Sequence, residues 1–71
     1  MLPDWIRDIL PSLPLLLTRK DIEKFFGHLI SAGYLANLDS EGRGPKRTRI
    51  GRKVAYTRED WVEWLASRVS A

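Results

Sequence analysis

The sequence of 71 residues contains no cysteine and a single histidine, His28. Without cysteine there is no disulfide and no thiolate ligand, and one histidine does not make a metal site, so no metal or other cofactor is expected. No apolar run approaches the roughly 20 residues of a membrane-spanning helix. Gly-rich phosphate loops and Gly-x-Ser-x-Gly motifs are also missing, so no catalytic residue is predicted. These absences favour a small, non-enzymatic, intracellular protein.

Basic residues are concentrated in one stretch, residues 42–58, which contains seven Lys and Arg and no acid. The rest of the chain has five basic and nine acidic residues, so it carries −4 within a formal net charge of +3. A basic surface of this kind is typical of proteins that bind nucleic acid or anionic membranes. Because the stretch is predicted to be a hairpin and not an amphipathic helix, nucleic acid is favoured and no membrane partner is expected.

The basic stretch has the composition of a β-hairpin. Gly51-Arg52 separates two short runs of β-branched and aromatic residues, which is typical of a tight turn between antiparallel strands. The alternation of strand side chains predicts one apolar face toward a core, formed by Ile50, Val54 and Tyr56. The basic side chains of the wing then project to solvent: Arg47, Arg49, Lys53 and, at the tip, Arg52.

A short helix is predicted over Leu2 to Leu10, with Pro3 at its first position and Pro11 at its end. Its apolar stripe, which includes Trp5, has two interpretations. The first, favoured because apolar helical stripes are usually core, is that the helix covers a small core. The second is that Trp5 belongs to a surface for self-association or for a partner.

Two further helices are predicted before the hairpin. One begins at Thr18 with a capping box completed by Asp21, ends or bends at Gly27-His28, and buries one stripe: Ile22, Phe25, Phe26 and Leu29. The next begins at Ser31, ends at Gly42 and turns two leucines inward: Leu35 and Leu38. Its outer face is short and polar: Gly33, Tyr34, Asn37 and Ser40. Asn pairs with adenine and Tyr contacts phosphate or a thymine methyl, while a solvated face without a partner is the alternative.

The last helix is capped by Thr57 with Asp60, and one of its sides carries Trp61, Trp64, Leu65 and Arg68. The order helix, helix, short helix, basic hairpin, capping helix predicts a winged helix-turn-helix, mainly α with a two-stranded antiparallel wing. The single domain divides into an N-terminal helical extension at 1–15, a helix-turn-helix at 16–41, the basic wing at 46–57 and the C-terminal helix at 58–69.

Several short motifs occur in a fixed order: Leu17-Thr18, Gly42-Arg43-Gly44-Pro45, Ile50-Gly51-Arg52, Tyr56 with Arg58 and Asp60, and Trp64-Leu65. In this order and spacing, residues 16–68 resemble the small winged-helix proteins of the excisionase and AlpA-type regulator group, relatives of the MerR DNA-binding domain. The chain departs from their pattern by about two extra residues near His28-Leu29. It also has Ala32-Gly33-Tyr34 where those proteins more often carry Ser, Thr or Arg.

The resemblance implies double-stranded DNA binding without catalysis, with the third helix in the major groove and the hairpin at the neighbouring minor groove or backbone. Excisionase-type members bind adjacent sites cooperatively, bend DNA and direct an integrase, a site-specific recombinase, toward excision. The expected function is therefore that of an excisionase, or recombination directionality factor, of a mobile element or prophage in the bacterial cytoplasm. The lack of a long dimerisation helix after Arg68 favours this over the alternative, an AlpA-like transcriptional regulator.

Expected partners are DNA, an integrase and, from the split in charge, a second copy bound head to tail on DNA. Tyr34 and Asn37 are predicted for the major groove. The wing supplies Arg47, Arg49, Arg52 and Lys53, and further phosphate contacts are expected from Arg19, Lys20, Arg43 and Lys46. Roughly half of these arginines are expected to be solvated surface charges. A protein-interaction adaptor that uses Trp5, Trp61 or Trp64 is the alternative from another class, whereas RNA binding is disfavoured because no exposed aromatic pair is predicted on the sheet.

Overall fold

The computed structural model describes residues 2–69 as four helices and a three-stranded antiparallel sheet, with about half of the chain helical. The elements follow in the order α1 (Asp4–Ile9), a 3-10 turn (Leu10–Ser12), β1 (Leu16–Thr18), α2 (Arg19–Phe25), α3 (Ala32–Ser40), β2 (Thr48–Ile50), β3 (Lys53–Thr57) and α4 (Arg58–Arg68). None of the helices in these residues is long and apolar enough to cross a membrane.

The sheet has three strands, not the two that the sequence predicts. The strand order is β1-β3-β2, and β3 pairs antiparallel with both neighbours. In the additional strand, Leu17 lies opposite Tyr56, and both side chains are completely buried. A strand of three residues is too short to show an alternating pattern, which explains why the sequence did not predict β1.

Ile50 is 55% exposed, so the prediction that it faces the core with Val54 and Tyr56 is wrong. The two-residue turn at Gly51-Arg52 pairs Ile50 with Lys53, and Arg49 with Val54. Residues opposite each other in an antiparallel pair share a face of the sheet. Ile50 therefore lies on the face of Lys53, while Val54 and Tyr56 lie on the other face and contribute to the core.

The core combines side chains from the four helices, from β1 and β3 and from the segment before β1: Ile6, Leu13, Leu17, Ile22, Leu35, Tyr56, Trp61, Val62 and Leu65. At its centre, Trp61 meets the edge of Phe26 and stacks on Trp64, with ring centroids 5.4 Å apart in both pairs. The N-terminal extension contributes Ile6 and Leu13 to this core, which confirms the first interpretation of its stripe. Trp5, however, is 48% exposed.

Arg58, the first residue of α4, ties the N-terminal extension to the sheet. Its backbone N–H donates to Leu15 O at 3.0 Å, and its Nη1 donates to Leu13 O at 3.1 Å. These bonds fix the chain that leads from α1 into β1. The extension is therefore built into the domain through backbone hydrogen bonds as well as through its two core side chains.

Three predicted helix starts are confirmed by side-chain caps. Thr18 Oγ1 accepts from Asp21 N at 3.1 Å, and Asp21 Oδ2 accepts from Thr18 N at 3.0 Å, which completes the capping box. Ser31 and Thr57 each accept from the N–H three residues on. The first helix is shorter than predicted, because it begins after Pro3 and ends at Ile9, before the 3-10 turn.

The predicted buried stripe of α2 is only partly correct. Ile22 is buried and Phe26 packs against the core, but Phe25 is 53% exposed and Leu29 is 87% exposed. The helix ends at Phe25, and Gly27 and His28 then adopt left-handed φ values of 59° and 65°. Because this turn ends the helical periodicity, Leu29 no longer follows the side of the helix that faces the core. The predicted stop at Gly27-His28 is confirmed.

Candidate nucleic-acid interface

The exposed side of α3 is small and polar. Leu35 and Leu38 are buried, which turns Tyr34 and Asn37, one turn apart, toward solvent. The helix starts at Ser31, whose Oγ accepts a hydrogen bond from Tyr34 N at 3.0 Å. Both residues predicted for the major groove therefore lie on one accessible side of a capped helix.

A shallow groove runs between the start of α2, the side of α3 and the wing. Its walls are formed by Thr18, Arg19, Lys20, Ala32, Gly33, Ala36, Lys53 and Val54. The α3 residues of this groove are all small, so neighbouring groups can approach the helix closely. The groove also brings two exposed cations that the sequence predicts as DNA contacts, Lys20 and Lys53, beside α3.

Glu23 joins α2 to the start of α3. Its Oε1 accepts a hydrogen bond from the backbone N–H of Ala32, the first residue of α3, at 2.7 Å. Its Oε2 lies 3.1 Å from His28 Nδ1. The bond from Ala32 N–H and, after it, the contact with His28 lower the pKa of Glu23. Glu23 is thus held as a carboxylate that fixes where α3 begins, a role that the sequence did not predict.

Asp39 is a buried acid that joins α2, α3 and the sheet. Its Oδ2 accepts from Arg19 Nη2 at 2.7 Å, from Arg19 Nε at 3.2 Å and from the Tyr56 hydroxyl at 2.5 Å. The hydrogen bond to Asp39 raises the pKa of Arg19, and burial together with Asp39 raises the pKa of Tyr56 to about 12. Arg19, predicted as a phosphate contact, therefore already has an internal partner.

The position of Asp39 in the third helix indicates that its side chain is buried, although the sequence analysis did not identify it as a site residue. Asp39 follows Leu35 by four residues and Leu38 by one, so it extends the inward stripe of α3. A charged residue at such a position is rarely buried without a partner. The positions of Arg19 and Tyr56, far away along the chain, could not be matched to it without the sheet.

The second oxygen of Asp39 points toward the base of the wing. Among residues 2–69, Asp39 Oδ1 has no hydrogen-bond partner, and Arg47 Nη1 lies 3.8 Å from it. The same Nη1 donates to the backbone carbonyl of Asp39 at 3.0 Å. Gly44 also lies against this carboxylate. The side chain of Arg47 is therefore bound to the end of α3, although about half of it remains exposed.

The other predicted wing residues lie at the hairpin turn and are exposed: Arg49, Arg52 and Lys53. The turn itself depends on Gly51, whose φ of 62° is in the left-handed region. The hairpin therefore carries three exposed cations, and it is part of a three-stranded sheet.

Arg43 and Lys46 lie on a different surface, beside α4. The carbonyl of Arg43 accepts hydrogen bonds from Trp64 Nε1 at 3.0 Å and from Arg68 Nη2 at 3.1 Å. Its own side chain pairs with Glu41 at 3.3 Å and is exposed. Lys46 lines a pocket with two acidic residues of α4, Asp60 and Glu63. The structure therefore separates these two predicted phosphate contacts from the cations beside α3.

The aromatic residues that the sequence offered for protein contacts differ in accessibility. Trp61 is fully buried and is not available to a partner. Trp64 is half-buried between Trp61 and the guanidinium of Arg68, which lies 5.1 Å from its ring centre. Trp5 remains exposed beside a small apolar groove whose other walls include Phe25 and Leu13.

Within residues 2–69, no group of three or more His, Asp and Glu residues is placed to hold a metal ion. His28 is exposed and its ring is paired with Glu23.

Comparison of the chain with protein-family models, with curated proteins and with solved structures found no match.

Proposed function

We propose that the protein binds double-stranded DNA as a winged helix-turn-helix, with α2 and α3 as the helix pair and β2–β3 as the wing. The observation that carries the proposal is the groove beside α3, whose walls include Lys20 of α2 and Lys53 of the wing. A helix with cations beside it can enter the major groove while those cations bind the phosphates that line it. Tyr34 and Asn37 then face the base edges.

The charge distribution supports DNA as the partner. Residues 42–58 carry seven cations and no acid. The exposed residues of α3 include no acid either. Each cation that neutralises a phosphate releases counterions, so binding to DNA of any sequence gains affinity at low salt. Sequence preference is assigned to α3, and most of the affinity to the wing and Lys20.

Within this proposal, the resemblance of the motifs favours an excisionase, a recombination directionality factor of a mobile element or prophage. Such a protein would load on adjacent sites in an attachment region, bend the DNA and act with an integrase. The opposite charges of the wing and the remainder of the chain support contacts between neighbouring copies on DNA. An AlpA-like transcriptional regulator is the alternative role for the same DNA-binding surface.

The proposal is tested by measuring DNA affinity against salt concentration for the wild type and for two charge-matched double variants. Lys20→Ala with Lys53→Ala removes both cations of the groove. Arg7→Ala with Lys24→Ala removes two exposed cations of α1 and α2 that do not line it. The groove variant should lower the slope of log K against log salt by about 2, because two phosphate contacts are lost. The control should leave the slope nearly unchanged.

No binding by the wild type at low salt, or equal losses in the two double variants, would contradict the proposal. The two roles are separated by the DNA fragment. A preference for attachment-site DNA over promoter DNA, with stepwise complexes in a gel shift, supports the excisionase role. A single complex on a promoter supports the regulator.

A protein-interaction adaptor is the second candidate, and one observation favours it. Trp5 and Phe25 are half-exposed around an apolar groove between α1 and the end of α2, distant in the chain from the wing. Exposed aromatic residues around a groove are typical anchors in protein interfaces. Trp5→Ala with Phe25→Ala would abolish activity in the adaptor and leave the DNA affinity of a DNA-binding protein unchanged.

A further inference from the structure

Two arginines from different elements meet at Asp39. Arg19 is the first residue of α2, and its Nη2 lies 2.7 Å from Asp39 Oδ2. Arg47 precedes β2, and its Nη1 lies 3.8 Å from Asp39 Oδ1. Each arginine contacts a different oxygen of the same carboxylate, so Asp39 joins the two guanidinium groups. With Asp39 ionised, the three groups have a net charge of +1.

Both guanidinium groups have donors left over. Among residues 2–69, no hydrogen-bond partner is found for Arg19 Nη1 or for Arg47 Nε and Nη2. The side chains are 28% and 46% exposed, respectively, so each reaches solvent. Asp39, by contrast, is buried beneath them, with a side chain that is 3% exposed. The carboxylate thus holds two arginines whose remaining N–H groups are available to an external anion.

A phosphate diester fits this arrangement. It has two unesterified oxygens that share one negative charge, which matches the net charge of the cluster. Arginine is well suited to phosphate because its planar fork donates two parallel hydrogen bonds. An arginine already oriented by a carboxylate loses less side-chain entropy when it binds.

We propose that Arg19 and Arg47 together bind one phosphate of the DNA backbone, and that Asp39 is the positioning residue of this site. The inference rests on the proposed function and adds to it a phosphate whose position relative to α3 is fixed. Asp39 is itself part of α3, so a phosphate held through it has a set position relative to Tyr34 and Asn37. Arg19 also lines the groove that contains Lys20 and Lys53, which places the site at the edge of the same surface.

The direction in which Asp39→Asn changes the affinity for DNA shows whether Asp39 positions the arginines or only contributes a charge. If only net charge mattered, removal of a negative group beside two cations would increase the affinity for DNA. If Asp39 positions the arginines, Asp39→Asn lowers the affinity about tenfold and lowers the salt slope by about 1, because one phosphate contact is lost. Arg47→Ala should lower the slope by the same amount, and Arg47→Lys should restore only part of the affinity.

Two controls separate this role from loss of stability, with all measurements made at a temperature where each variant is folded by circular dichroism. Tyr56→Phe removes the hydrogen bond to Asp39 Oδ2 and the one that the hydroxyl accepts from Arg19 Nε at 3.2 Å. It leaves the carboxylate of Asp39 with its contacts to both arginines, so it should keep the wild-type slope. Arg7→Ala removes an exposed arginine of α1 and should also keep it. A slope that falls equally in Tyr56→Phe and Asp39→Asn would overturn the inference.

A DNA-free measurement keeps the inference distinct from the proposed function. Titration of the full chain with inorganic phosphate, followed by NMR of the arginine Nε–H groups, should shift Arg19 and Arg47 saturably in the wild type and not in Asp39→Asn or Arg47→Ala. If the wild type binds DNA, the salt slopes decide, and an unchanged slope in Arg47→Ala overturns the inference. If it binds no DNA, the proposed function fails and the phosphate titration tests the anion site alone. The absence of a saturable shift of Arg19 and Arg47 in the wild type would then overturn the inference. If Asp39→Asn does not fold, Arg47→Ala serves in both measurements.

Discussion

Gly44 packs directly against the carboxylate of Asp39. A Cβ at position 44 would overlap Asp39 Oδ1 and would stand 3.3 Å from its Cγ. The carboxylate has little room to withdraw, because Arg19 and Tyr56 bond its other oxygen. The segment Gly42-Arg43-Gly44-Pro45 therefore closes one side of the buried polar cluster.

Gly44→Ala should destabilise the protein by about 1–3 kcal/mol, because the added methyl group forces the buried carboxylate or the loop to move. Chemical denaturation with urea measures the change in the free energy of unfolding. Gly33→Ala is the matched control, since a Cβ there meets no atom within 4 Å and the residue lies within α3. The control should gain roughly 0.5–1 kcal/mol from the better helix propensity of alanine. If the two variants were equally stable, the packing of Gly44 on Asp39 would be disproved.

Tyr56 should make stability depend on pH in the alkaline range. Its folded-state pKa is raised to about 12 by burial and by the bond to Asp39, whereas an unfolded tyrosine titrates at about 10. The stabilising contribution is therefore complete below pH 10 and is lost as the pH rises from about 10 to about 12. Thermal unfolding followed across this range should show the decline.

Tyr56→Phe is the variant that isolates this effect, because phenylalanine does not ionise. The difference in stability between the wild type and Tyr56→Phe should shrink as the pH rises from 10 to 12. In Tyr34→Phe the wild-type pH dependence should persist, since Tyr56 is retained. A constant difference between the wild type and Tyr56→Phe across the range would show that the hydroxyl is not held as the structure places it.

The features that the sequence predicted well are those determined by neighbouring residues. The caps at Thr18, Ser31 and Thr57 depend on the residue three positions on, and the stop at Gly27-His28 depends on the backbone preference of glycine. These rules need no knowledge of the rest of the fold. They placed the ends of three helices within a residue or two.

The features that the sequence did not predict depend on contacts between distant segments. β1 exists because Leu17 pairs with Tyr56, 39 positions later in the chain by the register of the sheet. Asp39 is tolerated inside the protein because Arg19 and Tyr56 come to it from α2 and β3. The candidate site was likewise predicted as a set of separate cations. Only the fold divides them into those in the groove beside α3, those on Asp39, those beside α4 and those at the hairpin turn.

Glu23 should contribute to stability in an acid-sensitive way. Its pKa is lowered by the hydrogen bond from Ala32 N–H and by His28, so the folded protein favours the carboxylate. The contribution is present above the unfolded-state pKa of about 4.3 and is lost as the pH falls through the lower, folded-state value. Glu23→Gln should weaken this part of the acid dependence.

The matched control for Glu23→Gln is Glu63→Gln on the exposed side of α4, which should leave the acid dependence unchanged. Circular dichroism during an acid titration reports the difference. Hydrogen exchange at Ala32 N–H gives a local measurement, and the amide should exchange faster in Glu23→Gln than in the control. Equal protection in both variants would show that Glu23 does not hold the start of α3.

The register of the hairpin predicts opposite results for two β-branched residues near its turn. Ile50 is exposed on the face of Lys53, whereas Val54 packs against the core on the face of Tyr56. Ile50→Thr should change the free energy of unfolding by less than about 0.5 kcal/mol, as surface substitutions usually do. Val54→Thr should cost about 1–3 kcal/mol, because it places a hydroxyl group against apolar side chains. Urea denaturation of the two variants decides the register, since a core that included both residues would be destabilised by both substitutions. An equal loss would thus favour the alternation expected from the sequence, in which Ile50 shares a face of the sheet with Val54 and Arg49 lies on the other face.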